Sequence, residues 1–153
     1  MIELAMYEPD MPGNLGAAMR LCACLDLPLH VIEPAGFPLR DERLRRAAMD
    51  YAGRARLARH ADFPSFRAAC PGRLVVLTTR GQFTHVGFRF GEGDILLLGR
   101  ESSGLPDHIR QCADATVRIP MKAGERSLNV VNAASMVVGE ALRQLGRFDG
   151  NGV

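Results

Sequence analysis

Residues 119–129 form a polar stretch that runs directly into a helix pattern, and this arrangement is typical of a ligand site. The stretch combines turn-forming residues with side-chain hydrogen-bonding groups, supplied by Pro120, Gly124, Ser127 and Asn129. A loop that leads into a helix gathers free backbone N–H groups at one point. We therefore expect part of a binding site at this junction.

Three further polar or glycine-rich segments follow apolar runs that predict strands. They are Gly13 and Asn14 together with Arg20, residues 78–81, and residues 99–104. Because the carboxyl ends of parallel strands meet at one edge of a sheet, these segments should converge with residues 119–129. The result would be a pocket for a small polar ligand.

Several familiar sites lack their sequence signatures. The chain has no GxGxxG after its first predicted strand, no GxxxxGK[ST] and no GxSxG. Ser102, Ser103 and Ser127 also have no partner base at a diagnostic spacing. A Rossmann dinucleotide site, a P-loop and a serine-hydrolase site are therefore not supported.

The cysteines and histidines do not show the spacing of a metal site. Cys22 and Cys24 form a CxC pair within an apolar helical run, whereas Cys70 and Cys112 are isolated. The histidines, His30, His60, His85 and His108, form neither HxxxH nor HExxH. We predict free thiols, structural or exposed histidines, and no metal.

Arginine is concentrated in one segment of the chain. Residues 40–60 contain seven arginines against three acidic residues, and 18 of the 19 basic residues in the chain are arginine. Clustered guanidinium groups favour an anionic partner such as RNA. A helix with a solvated basic face is the open alternative, and a GC-rich coding bias would also favour arginine over lysine.

Alternating short strands and helices predict a parallel α/β sheet in a single domain covering residues 1–153. The predicted strands are residues 2–7, 29–32, 73–77, 95–98 and 115–119. The predicted helices are residues 15–25, with Asn14 as N-cap, and residues 41–51, 61–69, 106–112 and 129–146. We expect residues 148–153 to be a disordered tail.

Overall composition is that of an ordinary globular protein, with 47% hydrophobic and 24% charged residues. No apolar run approaches the ~18 residues of a membrane span. The first ten residues, MIELAMYEPD, lack the basic segment of a signal peptide. We expect a cytoplasmic protein that does not contact membranes.

Four motifs, in this order and at these separations, closely resemble the SPOUT methyltransferases: PGNLGAAMRLC, LTTRG, LLLGRESSGLP and IPMKAGERSLNVVNAAS. The segments LHVIEPAGFPL and RLRRAAMDY are similar to one subfamily, the short tRNA (cytidine/uridine-34)-2′-O-methyltransferases. The resemblance extends from the first predicted strand to the last predicted helix.

The resemblance implies a parallel-sheet α/β/α sandwich whose C-terminal part forms a deep trefoil knot, which sequence patterns alone would not suggest. In this family the knot loops hold S-adenosylmethionine. By motif, the cofactor-binding positions are Leu77, Thr78, Gly81, Gly99, Glu101, Gly104, Ile119, Met121, Ser127 and Leu128. Backbone groups at Leu77, Ile119, Met121 and Leu128 would pair with the adenine edges.

The implied reaction is methyl transfer to the ribose 2′-hydroxyl of the tRNA wobble nucleotide, with leucine tRNAs as the expected substrates. Arg20 matches the base proposed in related enzymes. A guanidinium with a reference pKa above about 12 is a poor base, so we expect Arg20 to orient the hydroxyl and balance charge. The other candidate catalytic residues are Asn14, Glu101, Ser127 and Asn129. From the sequence alone, Asn14 and Ser127 could equally be helix caps, and Glu101 a solvated acid.

Small members of this family are homodimers in which the first-motif arginine commonly crosses to the partner's site. The tRNA anticodon stem-loop would then lie on the dimer surface, with Arg43, Arg45, Arg46, Arg54 and Arg56 as candidate contacts. Three alternatives remain open. They are the same chemistry on another tRNA position or on ribosomal RNA, a non-catalytic RNA-binding knot protein, and a flavodoxin-type nucleotide binder.

Two positions depart from the family pattern. Arg100 stands in GRESSGLP, where relatives often carry another residue, and it could add a contact of its own. Gly139 stands where an aromatic residue is common, and it costs roughly 1 kcal/mol of helix propensity. The second departure concerns the expected dimer interface and not the cofactor site.

Overall fold

The computed structural model describes residues 1–40, 42–51 and 53–148, which form a three-layer α/β/α sandwich. Its strands are β1 (Glu3–Tyr7), β2 (Pro28–Ile32), β3 (Arg56–His60), β4 (Leu74–Leu77), β5 (Phe83–Thr84), β6 (Ile95–Leu98) and β7 (Ala115–Arg118). They lie in the order β3-β2-β1-β6-β4-β7-β5, and neighbouring strands pair in parallel. The predicted parallel α/β/α architecture is confirmed.

The helices cover both faces of this sheet. They are α1 (Pro12–Cys24), α2 (Glu42–Ala48), α3 (Phe63–Ala69), α4 (Asp107–Arg110) and α5 (Val130–Gln144), with a short 3-10 helix at Met49–Tyr51. One core cluster joins α1, α2 and α5 to the sheet, and a second joins α3 and α4 to the other face. Because both faces are covered, the central strands LVVL and ILLL are almost entirely apolar and buried.

The five strands predicted from apolar runs are present, but β3 and β5 were missed. Strand β3, with the sequence RLARH, lies at the edge of the sheet, and none of its residues is fully buried. Such a strand contributes little to the core, so its arginine-rich pattern resembles a loop or a basic helix. The two residues of β5 are too few to give a period.

The prediction that Asn14 caps the first helix is wrong. Helix α1 begins at Pro12, and Met11 occupies the N-cap position without a side-chain cap bond. Proline suits the first helical turn because its missing N–H would have no helical partner there. Asn14 is therefore inside the helix, and its side chain is available for other contacts.

Two sequence predictions fall partly on positions that the structure does not describe. The helix expected at residues 41–51 begins within the described residues at Glu42, and Asp41 lies outside them. Of the expected disordered tail, Phe148 is described and exposed, whereas residues 149–153 lie outside the described residues. Among the described helices, none has the length and apolar character to cross a membrane.

Candidate functional site

A cavity of about 330 Å³ lies at the carboxyl ends of β4, β6 and β7. Its apolar residues include Val76, Leu98 and Val117, one from each of these strands, and the loops that follow the strands supply its polar groups. This volume is in the range of small-molecule sites, roughly 300–1,000 Å³. The convergence predicted from the sequence is present for these loops.

All of the predicted cofactor residues except Gly81 line this cavity, namely Leu77, Thr78, Gly99, Glu101, Gly104, Ile119, Met121, Ser127 and Leu128. Gly81 instead lies against the backbone of β7. A Cβ atom at Gly81 would be 2.3 Å from the carbonyl carbon of Val117. A glycine is therefore needed here so that the loop after β4 can pass close to β7.

Asn14, Glu101 and Asn129 form a hydrogen-bonded network that connects α1, the loop after β6 and the start of α5. Asn14 Nδ2 donates to Glu101 Oε2 at 3.0 Å, and Asn129 Nδ2 donates to Asn14 Oδ1 at 2.9 Å. Asn129 Oδ1 in turn accepts from Val131 N at 2.9 Å and caps α5. The network thus joins three of the five candidate catalytic residues, and Glu101 carries it to the cavity.

The structure excludes the helix-cap alternative for Ser127 and gives Glu101 specific hydrogen-bond partners. Asn129 is the cap of α5, so the alternative in which Ser127 is that cap is wrong. Ser127 is exposed and lines the cavity. Glu101 is also exposed, but its carboxylate has specific partners in Asn14 and in Val130 N, the latter at 3.4 Å.

Asp10, which the sequence analysis missed, holds the loop that carries Glu101. Its carboxylate accepts from Glu101 N at 3.2 Å and from Ser102 N at 3.3 Å, and it also accepts from the Ser102 hydroxyl. Burial raises the pKa of Asp10, but the hydrogen bonds from Ser102 and Glu101 outweigh burial and leave the pKa below its ordinary value. Asp10 is therefore charged at neutral pH. The signal for it was an acid in the polar segment after the first strand.

Arg20 lies outside the cavity of its own chain. It is exposed on α1, six residues beyond Asn14, which corresponds to about 9 Å along the helix axis. Its guanidinium lies 5.3 Å from the centre of the Tyr51 ring, and its Nη1 is 3.6 Å from Met49 Sδ. The structure therefore does not bring Arg20 into the network of Asn14, Glu101 and Asn129.

The candidate RNA-binding arginines divide into two groups. Arg43, Arg45 and Arg46 are exposed on α2, and Arg54 stacks at 4.4 Å over the Tyr51 ring that follows this helix. Arg56 is instead at the amino end of β3, which is an edge strand of the sheet. There its Nη2 is 3.1 Å from Asp26 Oδ1. The cavity lies at the carboxyl ends of β4, β6 and β7.

The model of one protein family, the SpoU rRNA Methylase family, matches residues 1–139 of this chain. The chain belongs to this SpoU methylase family. The resemblance to the SPOUT methyltransferases is thereby confirmed.

Relatives of this SpoU methylase cover nearly its whole length. A protein from Ancylobacter novellus, named tRNA (cytidine(34)-2′-O)-methyltransferase, is 53% identical over 150 residues, covering 96% of this chain and 95% of the relative. A protein of the same name from Escherichia coli is 45% identical over 149 residues, covering 95% of each chain.

Two solved structures are similar to this chain over nearly its whole length. One, from work on the 2-OH methylation of cytidine or uridine 34 on tRNA, has a TM-score of 0.92 and 40% identity, covering 96% of this chain and 97% of that one. The SpoU methyltransferase AviRb from Streptomyces viridochromogenes, in complex with AdoMet, has a TM-score of 0.83 and 30% identity. It covers 99% of this chain and 59% of that one.

Arg100 and Arg118 line the cavity of this SpoU methylase and hold its loops in place. Of the two, the sequence drew attention only to Arg100. Arg100 Nε donates to Glu8 O at 3.1 Å and its Nη2 is 3.4 Å from Glu8 Oε2, so the predicted additional contact exists. Arg118 Nη1 donates to Gly81 O at 2.6 Å and to Gln82 O at 3.1 Å. These bonds tie the loop after β6 to the end of β1, and the loop after β4 to β7.

Replacing Asn14 with aspartate should destabilise the network through like-charge repulsion. Asn14→Asp removes the donor to Glu101 Oε2 and places a second carboxylate about 3 Å from the first. At pH 7.5 we expect a lower Tm in thermal unfolding and about tenfold weaker cofactor binding. Repulsion between the two carboxylates raises the pKa of one of them. As the pH falls towards about 5 this carboxyl takes up a proton, so both losses should shrink.

The matched control is Asn14→Ala, which removes the hydrogen bonds without adding charge. Its smaller loss should not depend on pH over the same range. If Asn14→Asp and Asn14→Ala behave alike at every pH, the contact between Asn14 and Glu101 does not organise the site.

Proposed function

We propose that this chain is an S-adenosylmethionine-dependent methyltransferase that modifies the ribose 2′-hydroxyl of nucleotide 34 in tRNA, with leucine tRNAs as the expected substrates. The observation that carries the proposal is the cavity at β4, β6 and β7, with Glu101 and its partners Asn14 and Asn129 joined to it. The names of the relatives support the substrate. A tRNA substrate also agrees with the cytoplasmic location expected from the sequence.

The residues that line the cavity suit the chemistry of the cofactor. Apolar side chains from the three strands suit the adenine ring, and the irregular backbone around Ile119, Met121 and Leu128 suits its polar edges. When bound, S-adenosylmethionine supplies a methyl group already activated by its sulfonium. Knotting of the C-terminal segment is a prediction from the family.

The remaining task of the protein is to align the ribose hydroxyl with the methyl group and to assist loss of its proton. Glu101 is held from two sides, by Asn14 through its side chain and by Asp10 through its backbone. Ser127 and Asn129 lie at the start of α5, where they would position the ribose or the cofactor. Arg20 would complete the site as the group that orients the hydroxyl and balances developing charge.

A homodimer would supply the missing arginine, because Arg20 does not line the cavity of its own chain. Exposed apolar side chains beside α1 and on α5 support such an assembly. Met11, directly before α1, is 50% exposed, and Met136, on α5, is 45% exposed. The two helices contact each other, and a second copy that packs against them would cover these side chains. The anticodon stem-loop would then lie across the dimer.

Removing the positive charge of α2 should weaken tRNA binding without affecting the cofactor. For Arg45→Ala combined with Arg46→Ala, we expect a higher tRNA Kd and a salt dependence reduced by roughly 0.7–0.9 in log–log slope for each phosphate that the variant no longer binds. Fluorescence anisotropy across a salt series measures both. Arg56→Ala is the matched control, because Arg56 lies on the edge strand β3 and pairs with Asp26. An unchanged tRNA Kd in the double variant would exclude α2 as the RNA surface, whereas an equal loss in Arg56→Ala would mean that the RNA also contacts Arg56.

The proposed reaction is tested by methyl transfer from labelled S-adenosylmethionine to total tRNA that lacks wobble methylation. Nucleoside mapping should place the label in 2′-O-methylcytidine or 2′-O-methyluridine at position 34. The same tRNA already methylated at that hydroxyl is the control and should take up no label. Label at another tRNA position or in ribosomal RNA would contradict the proposed substrate, and absence of transfer to any RNA would contradict the proposed activity.

A further inference from the structure

Three side chains with metal-binding atoms converge on the sheet face that α3 covers. His30 belongs to β2, His60 ends β3, and Cys70 directly follows α3. His30 Nδ1 is 3.0 Å from His60 Nε2 and 3.7 Å from Cys70 Sγ, and the three ligand atoms lie within 4.8 Å of one another. We propose that His30, His60 and Cys70 form a binding site for a zinc-like transition metal ion.

Two of the three separations between ligand atoms are near those of a zinc site, and the third is within 4.8 Å. Tetrahedral zinc with Zn–N near 2.0–2.1 Å and Zn–S near 2.3 Å places neighbouring ligand atoms roughly 3.3–3.6 Å apart. The contact between His30 and His60 is a few tenths of an ångström shorter than this, and the contact between His30 and Cys70 is slightly longer. Side-chain rotations that bring Cys70 Sγ towards the Nδ1 side of the His30 ring would complete the position for the ion.

Glu3 orients His30 as a metal ligand. Its Oε2 atom is 2.9 Å from His30 Nε2, on the side of the ring away from the cluster. The carboxylate accepts a hydrogen bond, so it keeps the proton on Nε2 and leaves the Nδ1 lone pair for the contact with His60. Cys70 Sγ lies beside the ring, 3.7 Å from Nδ1 and 4.0 Å from Nε2. A carboxylate on the outer nitrogen is the usual support of a metal-ligating histidine.

The three side chains of the cluster differ in their exposure to solvent. His30 and Cys70 are each 8% exposed, and the half-buried His60 provides the route of entry.

Binding involves proton movements but no redox step. The Cys70 thiol loses its proton to solvent as the sulfur–metal bond forms. The proton on His60 Nε2, which otherwise donates to His30 Nδ1, moves to Nδ1 of the same neutral ring. The bound ion would tie the edge strand β3 to β2 and to the end of α3. Sequence spacing gave no sign of this site, because each ligand comes from a different element of the fold.

Metal content and cobalt spectroscopy test the proposal directly. The full chain, without a histidine tag, is equilibrated with Zn²⁺ and then dialysed against metal-free buffer. We expect about one zinc per chain by elemental analysis, a higher Tm than the metal-free protein, and a thiolate-to-metal charge-transfer band when Co²⁺ replaces Zn²⁺.

Variants assign the ligands. Cys70→Ser should abolish the cobalt charge-transfer band, and His60→Gln should abolish stoichiometric zinc. Cys112→Ser and His108→Gln, which change an exposed cysteine and an exposed histidine in and beside α4, are the matched controls and should bind normally. Glu3→Gln keeps all three ligands and should weaken zinc binding by about 10–100-fold, which covers the case in which a ligand variant does not fold. Absence of zinc and of the cobalt band in the wild-type chain would overturn the proposal, as would full binding by Cys70→Ser.

Discussion

Replacing Arg20 with alanine should reduce methyl transfer by about 10²–10³-fold, the range for loss of one group that stabilises developing charge. Cofactor affinity should stay within about twofold of the wild type, because Arg20 does not line the cavity of its own chain. Transfer is measured in single-turnover reactions with saturating tRNA, and cofactor binding by calorimetry. Arg20→Lys keeps the charge but loses the planar guanidinium, and it should recover only part of the rate.

Mixed dimers test whether Arg20 acts in the partner's site. Arg20→Ala provides an intact cavity, and a cavity variant such as Gly99→Ala provides an intact Arg20. If Arg20 acts in the partner's site, mixing the two after dissociation restores about a quarter of wild-type activity, since half of the dimers are mixed and each has one complete site. The assay uses a cofactor concentration too low for Gly99→Ala alone.

Two results would contradict this role of Arg20. Unchanged single-turnover rates in Arg20→Ala would remove it from catalysis. A large loss in Arg20→Ala without recovery in the mixed dimers would mean that Arg20 acts in its own chain, after a movement away from Tyr51 and Met49.

The parts of this fold that the sequence predicted are those governed by short-range patterns. The runs LVVL and ILLL are buried on both faces, so their composition alone identifies them as central strands. The polar residues after them then had to meet at one edge, because the strands are parallel. The cavity lined by Gly99, Glu101 and Ile119 follows from these two facts.

The contacts that organise the site could not be predicted in the same way, because they join distant parts of the chain. Asn14 bonds to Glu101 and to Asn129 across 87 and 115 residues, respectively. The helix-cap interpretation of Asn14 was wrong because Pro12 starts the helix two residues earlier. Asp10 contacts Ser102 across 92 residues, and nothing near Asp10 in the sequence marks that partner.

Adding a single methyl group at Gly99 should close the cofactor site. A Cβ atom there would be 2.7 Å from the carbonyl carbon of Gly104 and 2.8 Å from Leu105 N. These are backbone atoms of a tight turn in which Arg100 N donates to Gly104 O at 3.1 Å and Gly104 N donates to Arg100 O at 2.9 Å. The turn cannot yield without breaking these bonds, so the loop that carries Glu101 must move.

For Gly99→Ala we expect S-adenosylmethionine to bind about tenfold to a hundredfold more weakly, since overpacking of this kind costs roughly 1–3 kcal/mol. The Tm should also fall. Gly139→Ala, in α5, is the matched control, because among the described residues no atom beyond the adjoining residues and backbone of its own helix lies within 4 Å of the added Cβ. It should bind the cofactor normally and gain up to about 1 kcal/mol of stability from helix propensity. Calorimetry and thermal unfolding distinguish the two variants, and wild-type affinity in Gly99→Ala would mean that the loop after β6 does not form a wall of the cofactor site.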